Sequence, residues 1–475
     1  MEEGTPKRPL VLLGLMVASF LLFSVLGVQP PYFSAWLSHP SSLTPSPLHA
    51  DEAVQWSLAK EMSEGVPYSS NNDRFHGPTL AASLMAASKV TGTAFTEMSE
   101  SYLRNVTGCY LVLLSLAVLA LPGVCLMSRV MAAVFCFVVG GGAPFGFYYV
   151  QEVLLVAGLA WGMVLWLRAE ASERKIIWRL LSGAAFGFAL ACKVTAAAYL
   201  LLFFIALMIV RKIWADRHLL AFIAGLVASW AFFQSVAFTD IHGLATWWSQ
   251  LVRSLGVASG HSEDTLTVLN YWPWLWAALW LAEFSMYRFL GQRFIPFRSG
   301  PDDFALVFVG LLFGFHLLLP YKTPWLLYGV MALPLVLILP YHLSGGWRRD
   351  GLLLLGLLIS AGVAAGDFAS HSPTADLRAF EASTARFKAA YNGGPFYVAI
   401  EDGHYWPLPY YLRYYQVGYG DFPDAAKAPL RLVLANDRSE PKVAGYAVHR
   451  LNLRKDGTEY WVLVAKEYES VFNRP

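Results

Sequence analysis

Apolar runs about as long as a bilayer is thick recur through the first 366 positions of the chain and then stop. A helix that crosses hydrocarbon needs about 20 mostly apolar residues. Hydropathy gives eleven such stretches, at about 10–28, 105–127, 131–149, 153–167, 177–191, 195–210, 218–238, 271–289, 304–319, 325–341 and 351–366. The fourth to sixth are short or interrupted. Leu10–Val28 follows Lys7 and Arg8, as a signal peptide would, but it is long and no small-residue cleavage site follows it, so it reads as the first span.

Two long segments separate these runs. In the first, residues 29–104, Asp51–Gly65 reads as an amphipathic helix, with Val54, Leu58, Ala59 and Met62 apolar and Lys60, Glu61 and Glu64 polar. Gly65 and Pro67 end it, and a second apolar helix follows His76-Gly77-Pro78. Both suit a position flat on the outer leaflet. The other long segment, about 239–270, reads as a loop carrying Trp247, Trp248, Arg253 and His261. From Asp367 the pattern changes. Short runs at Phe396–Ile400, Leu430–Leu434, Tyr446–Leu453 and Tyr460–Ala465 read as strands, and Thr374–Tyr391 and Leu408–Tyr415 as helices. The expected fold is an α-helical membrane bundle of about eleven transmembrane helices over 1–366, with a small α/β domain over 367–475.

Composition sharpens this picture. Of the 475 residues 56% are hydrophobic and 14% charged, against roughly 25% charged in an ordinary soluble domain. A net charge of +2 gives no electrostatic case for nucleic acid. With the N-terminus in the cytoplasm, the cytoplasmic segments hold 15 Lys and Arg and the outer segments, apart from the tail, hold 7. That bias supports the eleven-span count and places the tail outside. Cys109, Cys125, Cys136 and Cys192 lie in or beside apolar runs with no metal-ligand spacing, and read as buried small hydrophobes.

There is no Walker A loop, GxGxxG, HExxH, CxxC or GxSxG motif. Candidate chemistry falls on ionisable residues at the outer ends of spans. Asp51 and Glu52 open a helix, where acids suit the positive end, or else supply a general base or metal ligand. Glu152 sits between two apolar runs, a costly place for a carboxylate unless it faces a cavity or a partner. Lys193, and Lys322 before the apolar helix that Pro324 opens, either snorkel to headgroups or hold an anion such as a phosphate. His76, within the first outer segment and before Gly77-Pro78, reads either as a turn or packing residue or as part of a site, and Arg104 closes that segment. Glu401, Asp402 and His404 follow a strand, either as part of a site or as a solvated loop. Carboxylates and lysines on one side of the membrane suit a phosphate-bearing sugar substrate, and equally an ion or solute pathway.

His49-Ala50-Asp51-Glu52-Ala53 followed by His76-Gly77-Pro78 resembles the first outer loop of GT-C membrane glycosyltransferases, the protein O-mannosyltransferases and lipid A aminoarabinose transferases among them. Tyr149–Glu152, Pro320-Tyr321-Lys322-Thr323-Pro324-Trp325 and Glu401-Asp402-Gly403-His404-Tyr405-Trp406-Pro407-Leu408-Pro409 are similar to a prokaryotic subgroup described as flippase-activity-associated. The resemblance covers most of the chain. It implies a polyprenyl-phosphate-linked sugar as donor, an active site at the outer face of the cell membrane, and Asp51 as the catalytic acidic residue with Glu52 beside it. Glu152, Lys193 and Lys322 suit contacts to donor phosphate and acceptor, with His76, Arg104, Glu401, Asp402 and His404 as further substrate contacts. No cofactor is required on this reading, though Asp51 and Glu152 are candidate ligands for a divalent metal. The acceptor is a glycan, lipid or protein. The competing classes are a lipid-linked glycan flippase component and a non-catalytic partner.

Overall fold

A computed structural model describes residues 47–70, 76–142, 148–210, 216–260, 301–319, 326, 328–343, 373–401, 405–420, 425–435, 439–455 and 457–473. By contacts these fall into two units: one within 62–87 and 101–366, the other within 44–61, 88–100 and 367–475. The second therefore takes in two pieces of the segment 29–104 as well as the tail.

The first unit is helical. It comprises the greater part of α2 (Thr79–Thr91) and α3 (Glu100–Leu119), then α4 (Leu126–Gly142), α5 (Glu152–Glu170), α6 (Lys175–Cys192), α7 (Ala196–Val210), α8 (Leu219–Gln234), α9 (Gly243–Gly260), α10 (Pro301–Leu318), α11 (Tyr328–Leu337) and α12 (Leu339–His342). Among the described residues α3, α5 and α6 are long and apolar enough to cross a membrane, and five shorter apolar helices accompany them. Eight of the eleven hydropathy stretches fall on described helices. Those at 10–28, 271–289 and 351–366 lie outside the described residues.

α5 is buried on almost every side, as expected of a helix that is apolar all round and sits inside a bundle. α6 and α8 each keep an apolar outer face, Ile176, Ile177, Leu180 and Leu181 on one and Leu220, Ile223 and Val227 on the other. Such faces suit lipid, because helices satisfy their own backbone groups. The two helices cross with their backbones in close approach. A Cβ on Gly183 would lie 1.9 Å from the Phe222 carbonyl oxygen, and one on Gly225 2.1 Å from that of Leu180.

Several expectations need correction. Residues 239–270 are not simply a loop, because α9 occupies 18 of them and buries Trp247, whose indole N–H donates to the Leu190 carbonyl at 3.0 Å. Cys136 and Cys192 are buried, but Cys109 and Cys125 are exposed.

The second unit holds the start of α1 (Ala50–Ser63), then α13 (Asp376–Ala390), α14 (Leu408–Tyr411), α15 (Glu469–Phe472) and a five-stranded sheet. The strands are β1 (Tyr397–Ile400), β2 (Gln416–Tyr419), β3 (Leu430–Leu434), β4 (Tyr446–Asn452) and β5 (Glu459–Ala465), in the order β2-β1-β3-β5-β4. β1 is parallel to β2 and β3, with Val398 opposite both Val417 and Leu430, while β5 is antiparallel to β3 and β4. The hydropathy reading misses β2 and runs the Leu408 helix four residues too far. Gln416–Tyr419 is a short edge strand, with no buried row to mark it.

Arg179, 2% exposed, reaches across the far end of the α5–α6 hairpin. It donates to the Trp166 carbonyl at 2.8 Å and pairs with Glu170 and with Asp216, the latter at 2.6 Å. Burial pushes the Asp216 carboxyl up, but the His218 amide and Arg179 outweigh it, and the net direction is down from 3.8. The contribution of this pair is complete above the unfolded-chain value and is lost as pH falls through the lowered folded one. Asp216→Asn is therefore expected to lower the melting temperature in detergent at pH 7, and the gap to wild type should shrink below about pH 4. Separately, Gly183→Val should prevent recovery of monodisperse protein in size-exclusion chromatography, because the obstacle is a backbone carbonyl. Gly314→Ala, where a Cβ meets nothing within 4 Å, should be neutral or stabilising.

Candidate functional site

The α5–α6 hairpin brings two of the expected residues together. α5 starts at Glu152 and α6 ends at Cys192, and helices of 19 and 18 residues running in opposite directions return the chain to the same end. There Lys193 Nζ lies 2.6 Å from Glu152 Oε1, with side chains 8% and 3% exposed. Lys193 leaves the helix in extended conformation.

That extended turn pairs with the segment between residues 29 and 104. His76 and Lys193 form an antiparallel bridge, and the Gly77 N–H donates to the Cys192 carbonyl at 2.8 Å. Only glycine fits here, since a Cβ would come within 1.7 Å of the Ala191 carbonyl oxygen. The carbonyls of this strap are occupied as well. Gln151 donates to Gly77 at 2.6 Å, and Tyr68 and Gln250 donate to His76 at 2.6 and 2.8 Å. Ser69 is held from its amide and its hydroxyl by the Asp240 carboxylate, at 2.7 and 2.9 Å. Arg104 is buried in the same unit with its guanidinium 5.2 Å from the Tyr148 ring centroid.

Asp51, Glu52 and Glu401 belong to the second unit. Glu52 is fully buried and accepts from the His49 amide at 2.8 Å, reaching back over the start of α1 as the acid of a capping box does. Asp51 instead keeps 40% of its side chain exposed, 3.8 Å from His49 Nδ1. Tyr411 holds the entry to α1 by accepting from the Leu48 amide at 2.7 Å and donating to Glu100 at 3.1 Å. Burial, then the Glu100 charge, pushes its phenol well above the ordinary value. Glu401 is paired with Arg431 at 2.5 Å. Lys322, Asp402 and His404 lie outside the described residues. Among the described residues no three His, Cys, Asp or Glu are grouped to hold a metal ion.

Sequence reasoning overlooked Tyr68, Gln151, Gln250, Tyr199 and His316. Gln151 stands directly beside Glu152 in the quoted motif. For the others the available signal was a polar side chain within an apolar segment, and for Gln250 also its spacing of three from Trp247 on one helix face.

Removing one partner of a buried ion pair costs about 3–5 kcal/mol, because the other charge is left uncompensated. Glu152→Gln and Lys193→Met are each expected to destabilise the protein by that order in detergent melts, and the double variant by clearly less than the sum of the two.

No protein-family model and no curated protein sequence matches the chain. Solved structures of ArnT share its fold. ArnT from Cupriavidus metallidurans in the apo state aligns with a TM-score of 0.60 at 13% identity, over 94% of this chain and 97% of that one. ArnT from the same organism bound to undecaprenyl phosphate aligns with a TM-score of 0.61 at 14% identity, over 97% and 98%. The archaeal oligosaccharyltransferase AglB from Archaeoglobus fulgidus aligns at a TM-score of 0.49 and 12% identity, over 87% of this chain and 65% of that one, too loosely to decide anything. The chain therefore shares the fold of these ArnT structures over nearly its whole length.

Proposed function

We propose that the protein is an integral membrane glycosyltransferase. It moves a sugar from a polyprenyl-phosphate donor to an acceptor at the outer face of the membrane, with inversion. The observation that carries this reading is the near full-length likeness to ArnT in its undecaprenyl phosphate complex. Eleven spans, a cytoplasmic N-terminus and an extracytoplasmic tail domain over 367–475 complete the picture.

In this reading Asp51 is the general base. Its partial exposure suits a group that must reach a substrate. It takes the proton of an acceptor hydroxyl, whose oxygen attacks the anomeric carbon. The bond from that carbon to the phosphate oxygen breaks, and the lipid phosphate leaves with its electron pair. Lys193 and Lys322 stabilise the charge that develops on the phosphate. Glu152 holds Lys193 in place and positions the acceptor. A lipid phosphate is a tolerable leaving group, so the reading needs no metal.

The test is transfer by purified protein in detergent, with radiolabelled polyprenyl-phosphate sugars and a crude membrane-acceptor extract. Detergent removes the sidedness a flippase needs. Wild-type protein should transfer label, and Asp51→Asn should lose at least about a hundredfold of the rate, the ordinary worth of a positioned base. Undiminished transfer by Asp51→Asn would remove the base assignment. No transfer across a panel validated with a known enzyme would favour the flippase or scaffold class.

A further inference from the structure

Three backbone donors at the start of α1 are taken by side chains. The Leu48 amide donates to the Tyr411 hydroxyl at 2.7 Å, the His49 amide to Glu52 Oε2 at 2.8 Å and the Asp51 amide to His49 Nδ1 at 3.3 Å. The second and third bonds close within the turn itself. The first reaches α14, 363 residues further along the chain. All of these residues belong to the second unit, so the bond fixes the turn within one compact body.

The Tyr411 hydroxyl is held in its turn. A phenol has one proton to donate, and with the oxygen accepting from Leu48 that proton goes to Glu100 Oε1 at 3.1 Å. Glu100, also buried, accepts from Arg378 of α13 on the same oxygen at 2.8 Å. Beside it, Tyr410 donates to the Met98 carbonyl at 2.7 Å and meets the Trp56 ring of α1 edge-on, with centroids 5.2 Å apart. Arg413 donates to the Thr96 carbonyl at 2.9 Å. Residues 410–413 therefore seat both the start of α1 and the segment 96–100. Leu48, Glu52, Ala53, Tyr410 and Tyr411 are buried in this seat, and Asp51 stands out of it with its carboxylate exposed.

A catalytic group has to be held within about 0.5 Å of its working geometry by neighbours that are themselves locked in place. We propose that Tyr411 is a positioning residue for Asp51. By fixing the Leu48 amide it sets where the base stands, and so gives the tail domain a part in the reaction. The inference rests on the reading of Asp51 as the general base. Tyr411 acts through the backbone between Leu48 and Asp51, not on the substrate.

The test uses full-length protein in detergent. Transfer is read with radiolabelled polyprenyl-phosphate sugars and the crude membrane-acceptor extract, binding with undecaprenyl phosphate, and the turn itself by amide hydrogen exchange over 48–54. Tyr411→Phe keeps the ring and removes the hydroxyl. It is expected to speed exchange over 48–54 and to leave undecaprenyl phosphate affinity unchanged. It should slow transfer at saturating donor by at least about tenfold, within the roughly hundredfold that a misplacement of about 1 Å costs. In the Asp51→Asn background the same change should slow transfer no further, because groups that act through one another are not additive. A merely structural loss would slow both backgrounds alike. If Tyr411→Phe does not fold, Arg378→Gln, at a partly exposed side chain, loosens the same seat and carries the comparison with the same expected signs. Unchanged exchange over 48–54 would overturn the seat. An equal further loss in the Asp51→Asn background would overturn its link to the base. Full transfer by Asp51→Asn, or a wild type that transfers nothing across a validated panel, would instead overturn the reading of Asp51 itself, and the positioning role with it.

Discussion

A charge cannot be left alone in an apolar bundle, and the end of the α5–α6 hairpin is organised around that constraint. Glu152 and Lys193 would each be costly there, and at 2.6 Å they neutralise one another. The hairpin supplies the pairing because its two helices are nearly equal in length. The polar groups around it then need partners of their own, which the His76-Gly77 strap provides with backbone groups and Tyr68, Gln151 and Gln250 with side chains. Arg179 meets the same constraint at the other end of the hairpin with two carboxylates and a carbonyl.

The adjacent acids Asp51 and Glu52 divide along a different line. Adjacent residues at a helix start point in different directions, so Asp51 and Glu52 need not share a role. Glu52 is consumed by the backbone of His49, and its burial is compensated by that hydrogen bond. Asp51 is left to solvent and to the edge of the His49 ring. A general base has to remain reachable, and of the pair Asp51 is the exposed one, which is why the proposed mechanism assigns the base to Asp51 and not to its neighbour.

Much of the fold was legible because hydrocarbon imposes a length scale on sequence. Eight hydropathy stretches meet helices, and four tail strands appear where alternating or β-branched runs predict them. The failures have a common cause. α9 carries Arg253, four serine or threonine residues and three glycines, so its mean hydropathy hides a helix whose buried face is only a stripe through Trp247 and Gln250. β2 is an edge strand of four residues. The grouping of residues 44–61 and 88–100 with the tail is a matter of tertiary contact, which local pattern does not encode. Among the site residues, charge alone picked out Glu152 and Lys193 but not their mutual pairing, which follows from the hairpin. Uncharged polar residues such as Tyr199 carry no pattern that separates them from the ordinary apolar lining.

The strap shows why residue identity and backbone geometry carry different weights at this site. His76 and Lys193 are joined through main-chain groups, and the carbonyls of His76 and Gly77 are held by donors from three other places in the chain. Main-chain bonds ask nothing of the side chains that flank them, so position 76 is free to hold a side chain chosen for chemistry. Position 77 has no such freedom, because the Ala191 carbonyl occupies the space a Cβ would take. The glycine in His76-Gly77-Pro78 is thus the residue that lets this segment close onto the end of α6. His76 before it is brought opposite Lys193 by that contact.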